Sequence, residues 1–229
     1  MKQILTQSRI QMRKNCAFKE HLRYDRNLVP KRNSEARNLG TAVHKGLETH
    51  SVDAALAELD REVHSQEEQD KLDTQKATVA AMLKGYWAAG FSTFDSLKPE
   101  LKFSVPIRNP KTGANSKKFL FEGKVDGVAT IDGQHWLVEY KTSGQLDQSY
   151  FDKLYLDTQV TSYIYGAQRA LGITFAGVIY RVIRKPTIRQ KQKETLEEYF
   201  ARLEADYLDP ERRDHYFAEA KLYRSTDDV

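Results

Sequence analysis

An α/β or α+β sheet flanked by helices is predicted by three features of the chain. Residues 34–90 carry helical periodicity, residues 101–141 alternate with period two around turn signals, and residues 175–183 form a continuous apolar run after a second helical segment. The order is a helical region, three strands, a long helix and a further central strand.

Each element follows from local chemistry. From 34 to 51, Leu39, Val43 and Leu47 fall on one helical stripe with His44 beside it. Residues 53–90 read as helical to Gly90, and the polar stretch 65–70 is expected to be a solvated turn between two helices. Strand character follows over 101–107, the cluster 109–113 is a turn, and 119–131 leads into a hairpin. Asp132-Gly133 between two alternating runs is the strongest short-range signal for a two-residue type I′ turn. A helix over about 150–171 carries the stripe Leu156, Val160, Ile164, Ala167 and Leu171, with Gly172 as its C-cap. The apolar run 175–183 suits a strand buried on both faces. The expected organisation is one compact domain, with a helical region over 1–95 carrying the histidine segment and a sheet-bearing core over 96–229.

The hairpin is where chemistry shows. Counting outward from the turn puts Ile131 opposite Gln134 and Asp126 opposite Glu139, at the roughly 4.5–5.5 Å typical of cross-strand partners. Period two places Asp126, Glu139 and Lys141 on one face, and Val125, Ala129, Trp136, Val138 and Tyr140 on the other. Like charges facing each other destabilise a sheet unless compensated, and a divalent cation is the simplest compensation. Mg²⁺ and Mn²⁺ favour such oxygen ligands together with water and phosphate oxygens. Lys141 on the same face can hydrogen-bond a metal-bound water or help deprotonate it. The combination describes metal-assisted hydrolysis of a phosphodiester. By itself, Glu-x-Lys on a strand is more often an ordinary solvated charge ladder.

Further candidates surround this group. His44 can add a nitrogen ligand, which favours Mn²⁺ over Mg²⁺, although a lone histidine beside an apolar stripe is more often a packed or surface residue. Gln159 and Tyr163, spaced i, i+4, can donate to phosphate oxygens, against a plain packing role. Glu100 is a further acidic candidate whose bland reading is a solvated strand end. The basic tract from Arg181 through Arg184 and Lys185 to Lys193 is a candidate phosphate-facing surface, against the usual reading of a charge run as a solvated face.

The 36 Lys and Arg against 32 Asp and Glu leave a net charge of +4, which permits a polyanionic partner without demanding one. No apolar run of 18 residues occurs, and Arg9, Arg13, Lys14 and Lys19 break up the first twenty positions, so neither a membrane span nor a secretory signal is expected. The single cysteine, Cys16, fits a reducing cytosol and reads as a small buried apolar residue.

Taken together, Gly40-Thr41-Ala42-Val43-His44, Glu122-Gly123-Lys124-Val125-Asp126, Val138-Glu139-Tyr140-Lys141-Thr142, and Gln159 with Tyr163 resemble, in order, the PD-(D/E)XK nuclease superfamily and within it the RecB-like exonucleases of phage and prophage type. The resemblance covers about residues 34–183. It implies a restriction-endonuclease-like central mixed sheet flanked by helices. It implies that His44, Asp126, Glu139 and the backbone carbonyl of Tyr140 bind Mg²⁺ or Mn²⁺ and that Lys141 orients or activates the attacking water. Gln159 and Tyr163 would help hold DNA, and Glu100 matches an acidic position of the RecB-like branch. Val125 replaces the eponymous proline. Cluster-bearing relatives carry four cysteines, whereas this chain has only Cys16, followed by Ala17 where they have proline, so no iron–sulfur cluster is expected. The chain closes on 224–229 without a helical pattern, so a C-terminal element is expected to be missing or supplied by a partner. The implied function is a metal-dependent DNA exonuclease of recombination, repair or phage DNA processing, in the cytoplasm of a bacterial or phage-infected cell. It would act on single- or double-stranded DNA, with a protein partner or as a homo-oligomer. The alternatives are a catalytically silent nucleic-acid-binding module of the same fold and an RNA-processing nuclease.

Overall fold

The computed structural model describes residues 2–29, 35–91 and 93–224. In chain order the elements are β1 (Gln3–Thr6), α1 (Gln7–Asn15), α2 (Ala17–Glu20) with a π turn His21–Asp25, α3 (Glu35–Thr49), α4 (Val52–Ala57), α5 (Gln66–Ala88), β2 (Ser96–Arg108), β3 (Asn115–Ile131), β4 (Gln134–Ser143), α6 (Gln148–Tyr155), α7 (Thr158–Leu171), β5 (Gly177–Arg184), α8 (Leu196–Leu208), a 3₁₀ turn Pro210–Arg212, α9 (Arg213–Tyr216) and β6 (Phe217–Tyr223). The expected helix start at Ser34 lies outside the described residues, as do 225–229.

The six strands form one mixed sheet. β2 runs antiparallel along the whole of β3, while β4 and β1 share the other edge of β3. β4 pairs antiparallel over Gly127–Ile131, and β1 pairs parallel over Phe119–Glu122. β5 adds parallel to β4, and β6 antiparallel to β5. Seven of the eight β5 residues are buried, as its apolar run predicts for an interior strand.

Two apolar cores sandwich the sheet. One joins α3, α4, α5 and α8 to Ala129, Val138, Tyr140 and Ile183, so the helices of 35–88 pack directly on the strands. The other joins Val160, Ile164 and Ala167 of α7 to Phe103, Phe121, Leu137, Val178 and Tyr180. Gly177 lies where β5 and β6 close on each other: a Cβ there would stand 2.2 Å from the Leu222 backbone oxygen. Gly177→Ala must therefore displace backbone, and a loss of about 3 kcal/mol in urea unfolding is expected; an unchanged midpoint would contradict this packing.

The structure corrects several local expectations. The polar stretch 65–70 is not a turn: Ser65 caps α5 through the Glu68 N–H, and the break lies before it. The long helix at 150–171 is two helices, because Asp157 turns its carboxylate onto the Gln159 N–H and caps a new start. Leu156, placed on the buried stripe, is consequently 86% exposed. Val125 packs with Leu137 in the second core rather than with Val138 and Tyr140, since the alternation of β3 breaks beside Asp126. Cys16 is exposed and caps α2 through its sulfur, not buried. β1, α8 and β6 went unread in the sequence. α8 opens on a capping box, Thr195 with Glu198.

Candidate active site

The site lies in the fork where β4 leaves β3. The ladder runs in the counted register from Ile131↔Gln134 to Gly127↔Val138 and stops one pair short of Asp126 and Glu139. There the Asp126 carboxylate enters the gap: its Oδ2 accepts the backbone N–H of Tyr140 at 2.8 Å. The other edge of β3 is irregular at the same level. β2 pairs Leu101↔Val125 and Pro99↔Gly127, and Glu100 between them has φ +47°, a left-handed conformation that costs a non-glycine residue about 1 kcal/mol or more. Strain and a broken ladder thus coincide at one level of the sheet.

Four elements converge on the fork. α3 presents His44, whose Nδ1 is 3.1 Å from Asp126 Oδ1. This helix sits low because Ala42, Val43 and Gly46 are buried, and Gly40 brings its start against Thr142. β4 presents Glu139 and Lys141 on one face, and Lys141 Nζ pairs with Glu139 Oε1. α7 presents Gln159, whose Nε2 donates to the same Oε1 at 3.0 Å. Tyr163, one turn on, stands edge-on to Phe103 with ring centroids 6.2 Å apart. The Tyr140 side chain points the other way, into the core against Tyr86, which leaves only its backbone toward the fork.

Burial sets the electrostatics. Glu139 is 5% exposed. Desolvation outweighs the opposing Lys141 charge, Asp126 adds repulsion, and the carboxyl is pushed up to about 7. Burial would lower Lys141, but its contacts with Glu139 win and hold it above the ordinary lysine value. Burial likewise raises the Tyr163 phenol, with the Glu139 charge adding to it.

Among the described residues no three His, Cys, Asp or Glu side chains are already gathered as a metal cage. The donor set nevertheless fits a hard divalent cation. The Asp126 carboxylate and the His44 imidazole touch in the fork, and the Glu139 carboxylate, whose proton burial and the Asp126 charge help to retain, projects into it from β4.

The remaining sequence candidates separate. Glu100 is committed to Lys102 at 2.9 Å and Lys124 at 2.5 Å, which hold its carboxyl down at about 2, and it lines a groove with His44 and Lys45. Arg181 is not on a phosphate-facing surface. It is 5% exposed, pairs with Glu219 at 2.7 Å, donates to the Tyr86 hydroxyl at 3.0 Å and stacks on Phe91 and Phe94. Alternation along β5 turns it away from the carboxylates, because its neighbour Tyr180 faces the α7 core. Arg184 and Lys185 leave β5 beside Ser143 of β4; Arg184 Nη1 lies 3.3 Å from His215, and the Lys185 backbone N–H donates to the Ser143 carbonyl.

Sequence reading missed Gln7. Its amide donates to Thr158 Oγ1 at 2.9 Å and ties α1 to the start of α7, next to Gln159. The available signal was Thr6, an N-cap ahead of a polar run, whose hydroxyl accepts the Arg9 N–H at 3.2 Å.

Comparison with known proteins adds three findings. No curated protein matches the chain. A solved structure described as "Crystal structure of SSO0001" is 14% identical, covering 86% of this chain and 85% of that one with a TM-score of 0.31. The family model of the PD-(D/E)XK nuclease superfamily matches residues 4–222, nearly all of the six-stranded mixed sheet and its flanking helices, and the chain therefore belongs to that superfamily.

Proposed function

We infer that this nuclease is a Mg²⁺- or Mn²⁺-dependent DNA exonuclease of the RecB-like branch, acting in recombination, repair or phage DNA processing. The observation that carries the reading is the pair Asp126 and Glu139 in the fork, with Lys141 on one carboxylate and His44 on the other. Asp126, Glu139, His44 and the Tyr140 carbonyl are the groups that would hold the ion. When bound, the metal supplies Lewis acidity toward the scissile phosphate and a water of lowered pKa.

The protein's own groups do the rest. Lys141 pairs with Glu139, and were that carboxylate engaged by the ion its ammonium would be free to orient the attacking water and steady developing charge. Gln159 donates to the same oxygen and would be freed with it, and together with Tyr163 it offers donors to phosphate oxygens. Arg184 and Lys185 are further candidates for phosphate contact at the end of β5. No helix of the described residues is long and apolar enough to cross a membrane.

The test is digestion of DNA labelled at the 5′ or 3′ end, single- and double-stranded, with Mg²⁺, Mn²⁺ or EDTA, beside an RNA strand. Mononucleotide release from DNA, abolished by EDTA, is expected. Binding without cleavage in either metal would favour the silent module. Faster loss of the RNA would favour an RNA-processing enzyme.

A further inference from the structure

A groove of about 730 Å³ leads away from the fork between α1 on one side and α6 and the start of α7 on the other. Its inner end is Gln159 and Tyr163, and Gln159 is bonded to Glu139, so the groove is continuous with the candidate active site. The Gln7–Thr158 hydrogen bond joins the two walls.

The lining has two chemistries. Lys14 on α1 and Lys153 on α6 are exposed cations that have no ion-pair partner among the described residues. Asp157, which lines the groove, is turned onto the Gln159 N–H as a helix cap, and Asp152, next to Lys153, accepts from the Gln148 amide at 2.8 Å. Between the lysines lie surfaces suited to flat apolar rings: half-buried Tyr150 and Tyr163, and Leu156, which the break between α6 and α7 leaves 86% exposed. The groove on the His44 side differs. Its Lys102 and Lys124 are paired with Glu100, its Lys45 with Glu48, and Glu58 adds negative charge.

Resting on the nuclease reading above, we propose that the α1–α6 groove is the track for single-stranded DNA entering the site, with Lys14 and Lys153 on phosphates and Tyr150 and Leu156 against unpaired bases. Unpaired cations interleaved with aromatic and apolar faces are what a single strand uses. A duplex keeps its bases stacked inside and would meet only the charges. The recess agrees: the Glu139 side chain is 7% exposed and that of Asp126 17%, depths that a threaded strand reaches more readily than the rim of an intact duplex.

The test measures binding of the full chain in EDTA, by fluorescence anisotropy, to a labelled oligothymidylate and to a blunt duplex of equal length. Wild type is expected to bind the single strand about tenfold more tightly. The double variant Lys14→Ala/Lys153→Ala is expected to lose about tenfold in single-strand affinity and to flatten the log–log salt dependence by about 1.4, for two phosphate contacts. Leu156→Ser is expected to lose roughly fivefold through lost apolar contact with a base. The control Lys111→Ala/Lys117→Ala removes the same charge from the exposed turn between β2 and β3 and from β3 itself. Equal affinity for blunt duplex and single strand would overturn the proposal, as would a groove variant indistinguishable from the control. Because these readings need no cleavage, they fail separately from the nuclease reading: a wild type inert with every metal yet binding as expected sinks only the latter.

Discussion

Lys141→Ala is expected to reduce Mg²⁺-dependent cleavage of DNA by about a thousandfold while the protein stays folded. The size follows from removing the cation paired with Glu139 in the fork, and the retained fold follows from Glu139. Without Lys141 the largest influence lowering the Glu139 carboxyl disappears, so it moves above about 7 and is buried as a neutral acid rather than as an unpaired charge. Asp126→Asn tests the partner position with less damage than Asp126→Ala. The amide oxygen can still accept the Tyr140 N–H, whereas alanine leaves that donor unsatisfied at about 1–3 kcal/mol. Initial rates on end-labelled DNA, with circular-dichroism melting as the control for folding, decide the matter. A Lys141→Ala enzyme that cuts at the wild-type rate would remove that residue from the mechanism.

Arg181→Ala should act on stability instead. Its guanidinium is buried with Glu219, the Tyr86 hydroxyl and the Phe91 and Phe94 rings, and removing one partner of such a group leaves the others desolvated without compensation. A loss of about 3 kcal/mol is expected, which for a chain of this length corresponds to roughly 6–12 °C in melting temperature. The salt dependence of DNA binding should stay as in wild type, because the side chain reaches no phosphate. A variant that melts normally but binds DNA with a shallower salt slope would restore Arg181 to the nucleic-acid surface.

The two substitutions show why some candidate residues were legible and others were not. Asp126, Glu139 and Lys141 belong to a hairpin whose register is set by a two-residue turn, and Asp132 and Gly133 do adopt the positive φ of +50° and +74° that such a turn requires. Counting from it needs no knowledge of the rest of the chain. Arg181 looked like the head of a basic tract because charge along a sequence carries no sign of which face a strand buries. Only the partners that β5 meets, α5 behind it and β6 beside it, turned this charge inward. Leu156 failed for a related reason. Helical periodicity placed it on a stripe, but the Asp157 cap restarted the helix and rotated the stripe away.

Local chemistry alone was enough for the class of fold, the hairpin register and an interior strand, expected at 175–183 and observed at 177–184, because turn dihedrals, capping and two-residue periodicity act over a few residues. Long-range packing decided that the ladder would open at Asp126, that His44 from a helix 82 residues earlier would close on it, and that the N-terminal helix would wall a groove leading there. Such contacts depend on which apolar faces meet in the two cores, and no pattern confined to one segment encodes that choice.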